Sequence, residues 1–383
     1  MHISVTRVAF AVAVATAAGV LGVPGGSAAA AAQSRARLLA ESGTQAVPGV
    51  QEWVARYDGP SHSYDAAHAL ATSPDGSTVF VTGDSSGRRT TGRDYATVAY
   101  SAVTGRQLWV RRYSGPGRRT DIAWSVAVSP DGSRVFVTGG STVMPHIDDY
   151  VTIAYAAATG RQLWNSRYQG PAGGSSDASA LVVSPDGSRV FVTGESDGAG
   201  GASAGYATVA YSAATGRQLW VRRHMPQRGF DYATAVAVSP DGSRVLVTGT
   251  AQYATVAYSA ATGRQLWARP FSPRYGADYG GSVAVSPGGS TVFVTSQSDS
   301  ANGASSVYAT VAYSAATGRE LWASRHHQGF GAQMAVSPDG MTVYVSGTTA
   351  VGHLTVAYRT ASGTQLWASN YGGSDHGSVA VNS

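Results

Sequence analysis

The chain has 383 residues, of which 13% are charged, with 48 glycines, no cysteine and a formal net charge of +5. Without cysteine there is neither a disulfide nor a lipoprotein attachment site. A small net charge, with arginine clustered only in doublets such as Arg111-Arg112, Arg118-Arg119 and Arg222-Arg223, excludes the concentrated basic stripe that nucleic-acid binding needs.

The amino terminus reads as a secretory signal. His2 and Arg7 give a weakly positive start, residues 8–23 are apolar, Pro24-Gly25-Gly26 breaks the run, and residues 27–32 offer small-residue cleavage sites. The apolar run is too short and too alanine-rich for a membrane span. Residues 1–32 are therefore assigned to a signal peptide and residues 33–50 to a leader of uncertain structure. Residues 51–383 form one repeat domain, expected to be secreted, with no membrane span after cleavage.

From Trp53 onward a unit recurs, marked by Trp109, Trp164, Trp220, Trp267, Trp322 and Trp367 at spacings of 45 to 56 residues. A period near 50 with several short strands points to a propeller or solenoid. In the unit from Asp121 to Tyr168 the first strand covers residues 124–129. Pro130-Asp131-Gly132 makes a tight turn, with proline presetting φ and glycine accepting a positive one. A second strand covers 135–138, a third 150–155, and a fourth begins at Gln162. The middle strands are apolar on both faces, so each sheet must be covered on both sides. Blades stacked around an axis meet that demand.

Six complete four-stranded units run from about Ala66 to Tyr371. A lone fourth strand lies at Trp53 and a lone first strand at residues 377–383. The fold is expected to be an all-β propeller with seven blade positions and an incomplete closing blade, whose third strand would have to come from the leader (Leu38-Leu39-Ala40). A six-bladed ring is the alternative.

The phrase Ala-Tyr-Ser-Ala-Ala-Thr-Gly-Arg-Gln-Leu-Trp, ending at Trp220, resembles the tryptophan-docking motif of pyrroloquinoline-quinone-type propellers, with serine where that family has aspartate. Val-Ser-Pro-Asp-Gly-Ser-Arg-Val-Phe-Val-Thr-Gly, ending at Gly139, looks like the YVTN-type propeller repeat. Together they are most similar to the seven-bladed β-propeller repeats of secreted bacterial proteins. The resemblance implies that each indole lies against the Thr-Gly peptide of a neighbouring blade. These families include enzymes and assembly scaffolds, so the resemblance implies fold more than function.

Candidate sites fall into three groups. Asp65, Asp121, Asp231, Asp278 and Asp375 recur eight residues before the turn serine, with Asp177 one place off and Gly329 in blade six. They could form an acidic ring for Ca²⁺ near one mouth of the channel, or each could cap backbone N–H groups of its own loop; regular recurrence favours capping. The turn aspartates Asp75, Asp131, Asp186, Asp241 and Asp339 read as structural. Histidines are scattered (His62, His68, His146, His224, His326, His327, His353, His376), and His68, His224, His327 and His376 lie near the connections between blades, where they could converge at an axial mouth.

The third group is the unequal loops between second and third strands. These are residues 85–94 (Arg88, Arg89, Arg93), 141–149 (Met144, Pro145, His146, Asp148, Asp149), 195–205 and 296–307. Unequal loops on one face of a rigid scaffold are how binding sites are often built, although tolerated length drift gives the same pattern. No catalytic constellation stands out. The expectation is a secreted, monomeric binding scaffold for a protein or a cell-envelope glycan, with no cofactor. A quinoprotein-like or lyase-like enzyme with its site at the axial mouth is the alternative.

Overall fold

The computed structural model describes residues 2–6, 51–87, 92–144, 147–171, 174–199, 204–225, 231–250, 254–270, 278–299, 306–327, 330–349 and 352–371. They build six four-stranded antiparallel sheets and one two-stranded pair, with no α-helix among them. Blade 1 runs Asp65–Thr72, Thr78–Ser86, Arg93–Ser101 and Gln107–Tyr113; blade 2 runs Asp121–Val128, Arg134–Met144, Ile147–Ala156 and Gln162–Tyr168. Blade 3 runs Ser176–Val183, Arg189–Asp197, Ala204–Ser212 and Gln218–His224; blade 4 runs Ala233–Val238, Arg244–Gly249, Ala254–Ser259 and Gln265–Pro270. Blade 5 runs Asp278–Val285, Thr291–Asp299, Ser306–Ser314 and Glu320–His327; blade 6 runs Phe330–Val336, Thr342–Thr349, Gly352–Arg359 and Gln365–Tyr371.

Each blade is a simple meander, and first strands of successive blades pack on one another, so they are the innermost. The meander also sorts the connections. Turns after first and third strands share one end of the ring, here the turn end. Loops after second strands share the opposite, loop end with the crossings to the next blade.

The cores lie between blades rather than within them. Phe80, Tyr95 and Trp109 of blade 1 cluster with Val135, Val137, Ile153 and Tyr155 of blade 2. Phe136, Tyr150 and Trp164 of blade 2 do the same with Val190, Val192 and Tyr211 of blade 3. Burial on both faces explains why the middle strands lack polar alternation.

One device repeats at every such interface. The indole N–H of Trp109 donates to the Ala157 carbonyl (2.8 Å), Trp164 to Ala213 (3.0 Å), Trp220 to Ala260 (3.0 Å), Trp267 to Ala315 (2.9 Å) and Trp322 to Thr360 (2.7 Å). Each ring lies on the glycine of the next Thr-Gly or Ser-Gly turn. A Cβ on Gly160 would stand 2.7 Å from the Trp109 ring, and the φ of +67° there already favours glycine. Trp53 docks on blade 1 in the same way (Ala102 carbonyl, 2.8 Å). The expected docking motif is present in all of them except Trp367, which is 46% exposed and meets no such turn among the described residues.

The turn aspartates are structural. Asp241 accepts from the Ser243 amide (3.0 Å) and from Ser239 and Ser243 hydroxyls, and these bonds hold its pKa down at about 2. A depressed carboxyl contributes stability that is present above its unfolded value near 4 and is lost as pH falls through 2. Asp241→Ala is expected to cost about 1 kcal/mol at pH 7, kept small by exposure, and less at pH 2, where part of that contribution is already lost; urea titrations at the two pH values check it.

One expectation needs correction. Asp148 and Asp149 are strand residues rather than loop residues: the second and third strands of blade 2 continue past the expected bounds, pairing Ser141 with Asp149 and Thr142 with Asp148. Polar composition mimicked a loop where the ladder simply runs on. Near the N-terminus, Gln51–Arg56 pairs with His2–Thr6, within the stretch assigned to the signal. An open strand edge is a row of unpaired donors and acceptors that accepts an extended segment; signal cleavage would leave that edge open. Leu38-Leu39-Ala40 and residues 377–383 lie outside the described residues.

Candidate functional site

Every innermost strand carries a β-bulge. Pairing with the second strand skips His68 in blade 1, Trp124 in blade 2, Ser179 in blade 3 and Thr234 in blade 4. In blade 6 it skips Ala332, and in blade 5 the two residues between Gly280 and Val283. A bulge leaves one residue out of the ladder and re-aims its side chain. In the first four blades the second strand makes room for it with a Thr-Gly pair opposite the bulge. A Cβ on Gly83 would lie 1.9 Å from the Ala66 carbonyl oxygen, and one on Gly139 1.9 Å from that of Ile122.

The bulges sit near the loop end of the innermost strands. There Trp124, Ser179 and Thr234 line a recess of about 340 Å³ with Asp177, Glu195, Tyr232 and Ala233. His68 joins it through Trp124, the ring centroids 4.4 Å apart and the planes tilted by 46°. His68 is held from behind: its Nε2 lies 2.6 Å from Oδ1 of the fully buried Asp84, whose Oδ2 accepts from Arg93 (3.2 Å). Arg93 also stands over the Tyr64 ring, 5.5 Å from its centroid. Ser179 is engaged too, its hydroxyl 2.6 Å from the Ala233 carbonyl of the next blade.

Asp177 is the most perturbed group lining the recess. It faces blade 2, where Gly140 leaves space for it: a Cβ there would lie 2.5 Å from Asp177 Oδ1. Its Oδ2 accepts from the Trp124 indole (3.2 Å), while Oδ1 is buried without a partner among the described residues. Burial first, then Asp148 and Glu195, push its pKa up to about 7. Glu195, its partner across the strand pair, is raised by burial and by Asp197 and Asp148. A carboxyl raised in the fold stabilises at low pH and becomes a penalty as pH climbs from its unfolded value near 4 to 7. Asp177→Asn is therefore expected to raise the melting temperature at pH 8 but not at pH 4. It should also abolish a Trp124 fluorescence transition centred near pH 7, measured as the difference from Trp124→Phe.

Among the described residues, Asp65 and Asp121 each bond within their own connection: Asp65 accepts from the Gly59 amide (3.0 Å) and Asp121 from the Gly115 amide (2.7 Å). Ser176 takes the same place in blade 3 beside Gly170, which is why Asp177 falls one residue later and faces the other way. Asp231 is buried, has no hydrogen-bond partner among the described residues, and is pushed up to about 7 by burial; His224 Nε2 lies 3.9 Å away. The side chain of Asp278 and all of Asp375 lie outside the described residues. Among those described, no three histidine or carboxylate groups are placed to hold a metal.

Of the four histidines expected near the axis, His68 is at the mouth. His224 is on an outermost strand, stacked on Tyr206 at 4.9 Å. The His327 side chain and His376 lie outside the described residues, as do Arg88, Arg89 and His146. Asp149 is 3% exposed and bound to Arg167 (2.8 Å), so it braces blade 2 and does not present a charge to a partner. Asp148 donates its amide to Ser175 (3.0 Å).

The sequence signal for His68, Trp124, Ser179 and Thr234 is the third residue after the recurring aspartate position. It changes chemistry from unit to unit while its predecessor stays alanine in the first four (Ala67, Ala123, Ala178, Ala233).

A family described as outer membrane protein assembly factor BamB matches residues 17–301 and 305–382, and the chain belongs to that family. No curated protein matches the sequence. Among solved structures, hydrazine synthase of Kuenenia stuttgartiensis is similar over 77% of this chain and 76% of that one, at 16% identity and a TM-score of 0.53. BamB from Moraxella catarrhalis is similar over 81% and 78%, at 16% identity and a TM-score of 0.50. Quinohemoprotein alcohol dehydrogenase ADHIIG from Pseudomonas putida HK5 is similar over 77% of this chain but 57% of that one, at 14% identity and a TM-score of 0.54. At these identities the likeness is one of fold.

Pyrroloquinoline quinone, the group such propellers bring to mind, is a planar tricarboxylate. The recess would set it against Asp177 and Glu195, with no arginine among the residues that line it. Like charges in a partly dry site repel, so these residues do not fit that cofactor.

Proposed function

We propose that this member of the BamB-type family is an exported scaffold that binds a partner protein at its loop end, centred on the mouth of the channel. One observation carries the reading: in blades 1 to 4 a bulge re-aims one structurally equivalent residue of the innermost strand, and within a frame of repeated tryptophans, glycines and turns these four residues carry unlike side chains. A frame built from one unit has no folding need for a histidine, a tryptophan, a serine and a threonine at one place, whereas a binding surface does. Trp124 and Tyr232 are 37% and 38% exposed, and exposed aromatic side chains are favoured anchors at protein interfaces. The signal-like amino terminus supports export, and the family's description as an assembly factor supports a protein partner.

The test is site-specific photo-cross-linking in the producing cells, with the reactive group placed at position 124, at 232, or at Val103, which is 77% exposed in a turn at the opposite end. One protein adduct is expected from 124 and 232 and none from 103. Adducts from 103 alone would put the interface at the wrong end, and a carbohydrate adduct at 124 would replace the protein partner with a glycan.

A further inference from the structure

Several buried carboxylates elsewhere in the molecule are paired with cations. Asp94 holds Arg112 (2.8 Å), Asp149 holds Arg167 (2.8 Å), and Asp84 holds both His68 and Arg93. Beside the recess the pattern stops. Asp177 and Glu195 lie close enough to Asp148 and, for Glu195, to Asp197 that these carboxylates raise their proton affinity, yet none of the four is ion-paired with a described side chain. The nearby guanidiniums are engaged elsewhere: Arg167 on Asp149, Arg93 on Asp84, and Arg223 on the main-chain carbonyls of Ser196 and Asp197. Leaving several carboxylates together, partly dry and uncompensated, is unfavourable.

The opening itself has a matching shape. Two carboxylates, Asp177 and Glu195, line a space of about 340 Å³ that two half-open aromatic rings, Trp124 and Tyr232, also border. His68 packs on Trp124 and narrows its rotamer freedom. Carboxylates fix a positive charge, and aromatic faces favour one that is organic and weakly hydrated. An inorganic divalent ion would want several oxygens and no indole, and the described residues offer no such cluster.

We propose that the axial recess is a subsite for an organic cation, a guanidinium or ammonium at the end of an alkyl chain, bound by Asp177 and Glu195 between Trp124 and Tyr232. The recess carries the assignment of the charge. Taking the source to be an arginine or lysine side chain of the partner rests on the scaffold reading above. Free small cations separate the two, because they report on the recess whether or not a partner exists.

The experiment is calorimetric titration of the full chain with N-acetyl-arginine amide, with the citrulline counterpart, and with calcium chloride. Arginine amide is expected to bind in the millimolar range, at least about fivefold tighter than the citrulline compound. Glu195→Gln and Trp124→Ala should each weaken arginine binding by a similar factor while leaving the melting temperature within a few degrees. Equal binding of arginine and citrulline amides overturns the proposal, as does calcium binding without arginine binding. If Trp124→Ala unfolds the chain, Glu195→Gln decides alone, since it removes only a charge: unchanged arginine affinity in that variant refutes the subsite. Cross-linking at 124 with no arginine affinity would leave the scaffold standing and the cation subsite refuted.

Discussion

Trp220→Ala is expected to destabilise the ring by about 3–5 kcal/mol, while Trp367→Ala costs no more than about 1 kcal/mol. The two residues occupy the same place in two copies of one unit, in blades 3 and 6, so the difference isolates docking from composition. Trp220 is 7% exposed, lies against Gly263, donates to the Ala260 carbonyl and touches Phe191 and Tyr258 at ring-centroid distances of 5.8 and 6.3 Å. Truncation leaves a cavity between blades 3 and 4 and an unsatisfied carbonyl, and a packed ring closes such a cavity only partly. Trp367 has Tyr344 at 5.9 Å and is 46% exposed. Urea unfolding followed by circular dichroism measures both. Blades couple mainly to their neighbours, so a broadened transition in Trp220→Ala would itself point to local loss of the interface between blades 3 and 4. Equal costs for the two substitutions would mean that the docking geometry contributes nothing beyond the indole itself.

The second large effect is expected at Gly139. A Cβ there would stand 1.9 Å from the Ile122 carbonyl oxygen and 2.9 Å from the Ala123 Cα, both main-chain atoms. No side chain can rotate away to relieve it, so Gly139→Ala must undo the bulge or part the first two strands of blade 2. Its cost should exceed the 1–3 kcal/mol usual for overpacking, and little soluble protein is expected. Gly132→Ala is the control. It has open space apart from Pro74 at 3.5 Å, but a φ of +70°, and should cost about 1–2 kcal/mol from backbone strain alone. A Gly139→Ala protein as stable as Gly132→Ala would contradict the account of how the bulges are accommodated.

These two cases show what could be read in advance. The docking tryptophans, the Thr-Gly turns and the Ser-Pro-Asp-Gly turns are local phrases whose chemistry is fixed by a single contact each, so their repetition spelled out the blades. Gly139 was visible only as a strand end, because its reason is a close approach to a residue far along the chain. The bulges were invisible for a similar cause. Ala-His-Ala around His68 and Ala-Trp-Ser around Trp124 read as ordinary alternation, and nothing within the strand announces that pairing skips the middle residue. Asp177 did leave a trace: it stood one place off a regular series, and that displacement turns it from a loop cap into a group at the channel mouth. Asp149 misled in the opposite direction, since a polar residue near a hairpin tip looks like surface until its pairing with Arg167 is seen.

Stability is thus assigned to the docking tryptophans and second-strand glycines, and binding to the residues that the bulges expel. The most direct test separates the two in one protein. His68, Trp124, Ser179 and Thr234 are replaced together by alanine, and the variant is taken through both thermal unfolding and cross-linking, with the reactive group at position 232. The account predicts a melting temperature within a few degrees of the parent and loss of the partner adduct. An undiminished adduct, or a collapse of the fold comparable to that of Trp220→Ala, would contradict it.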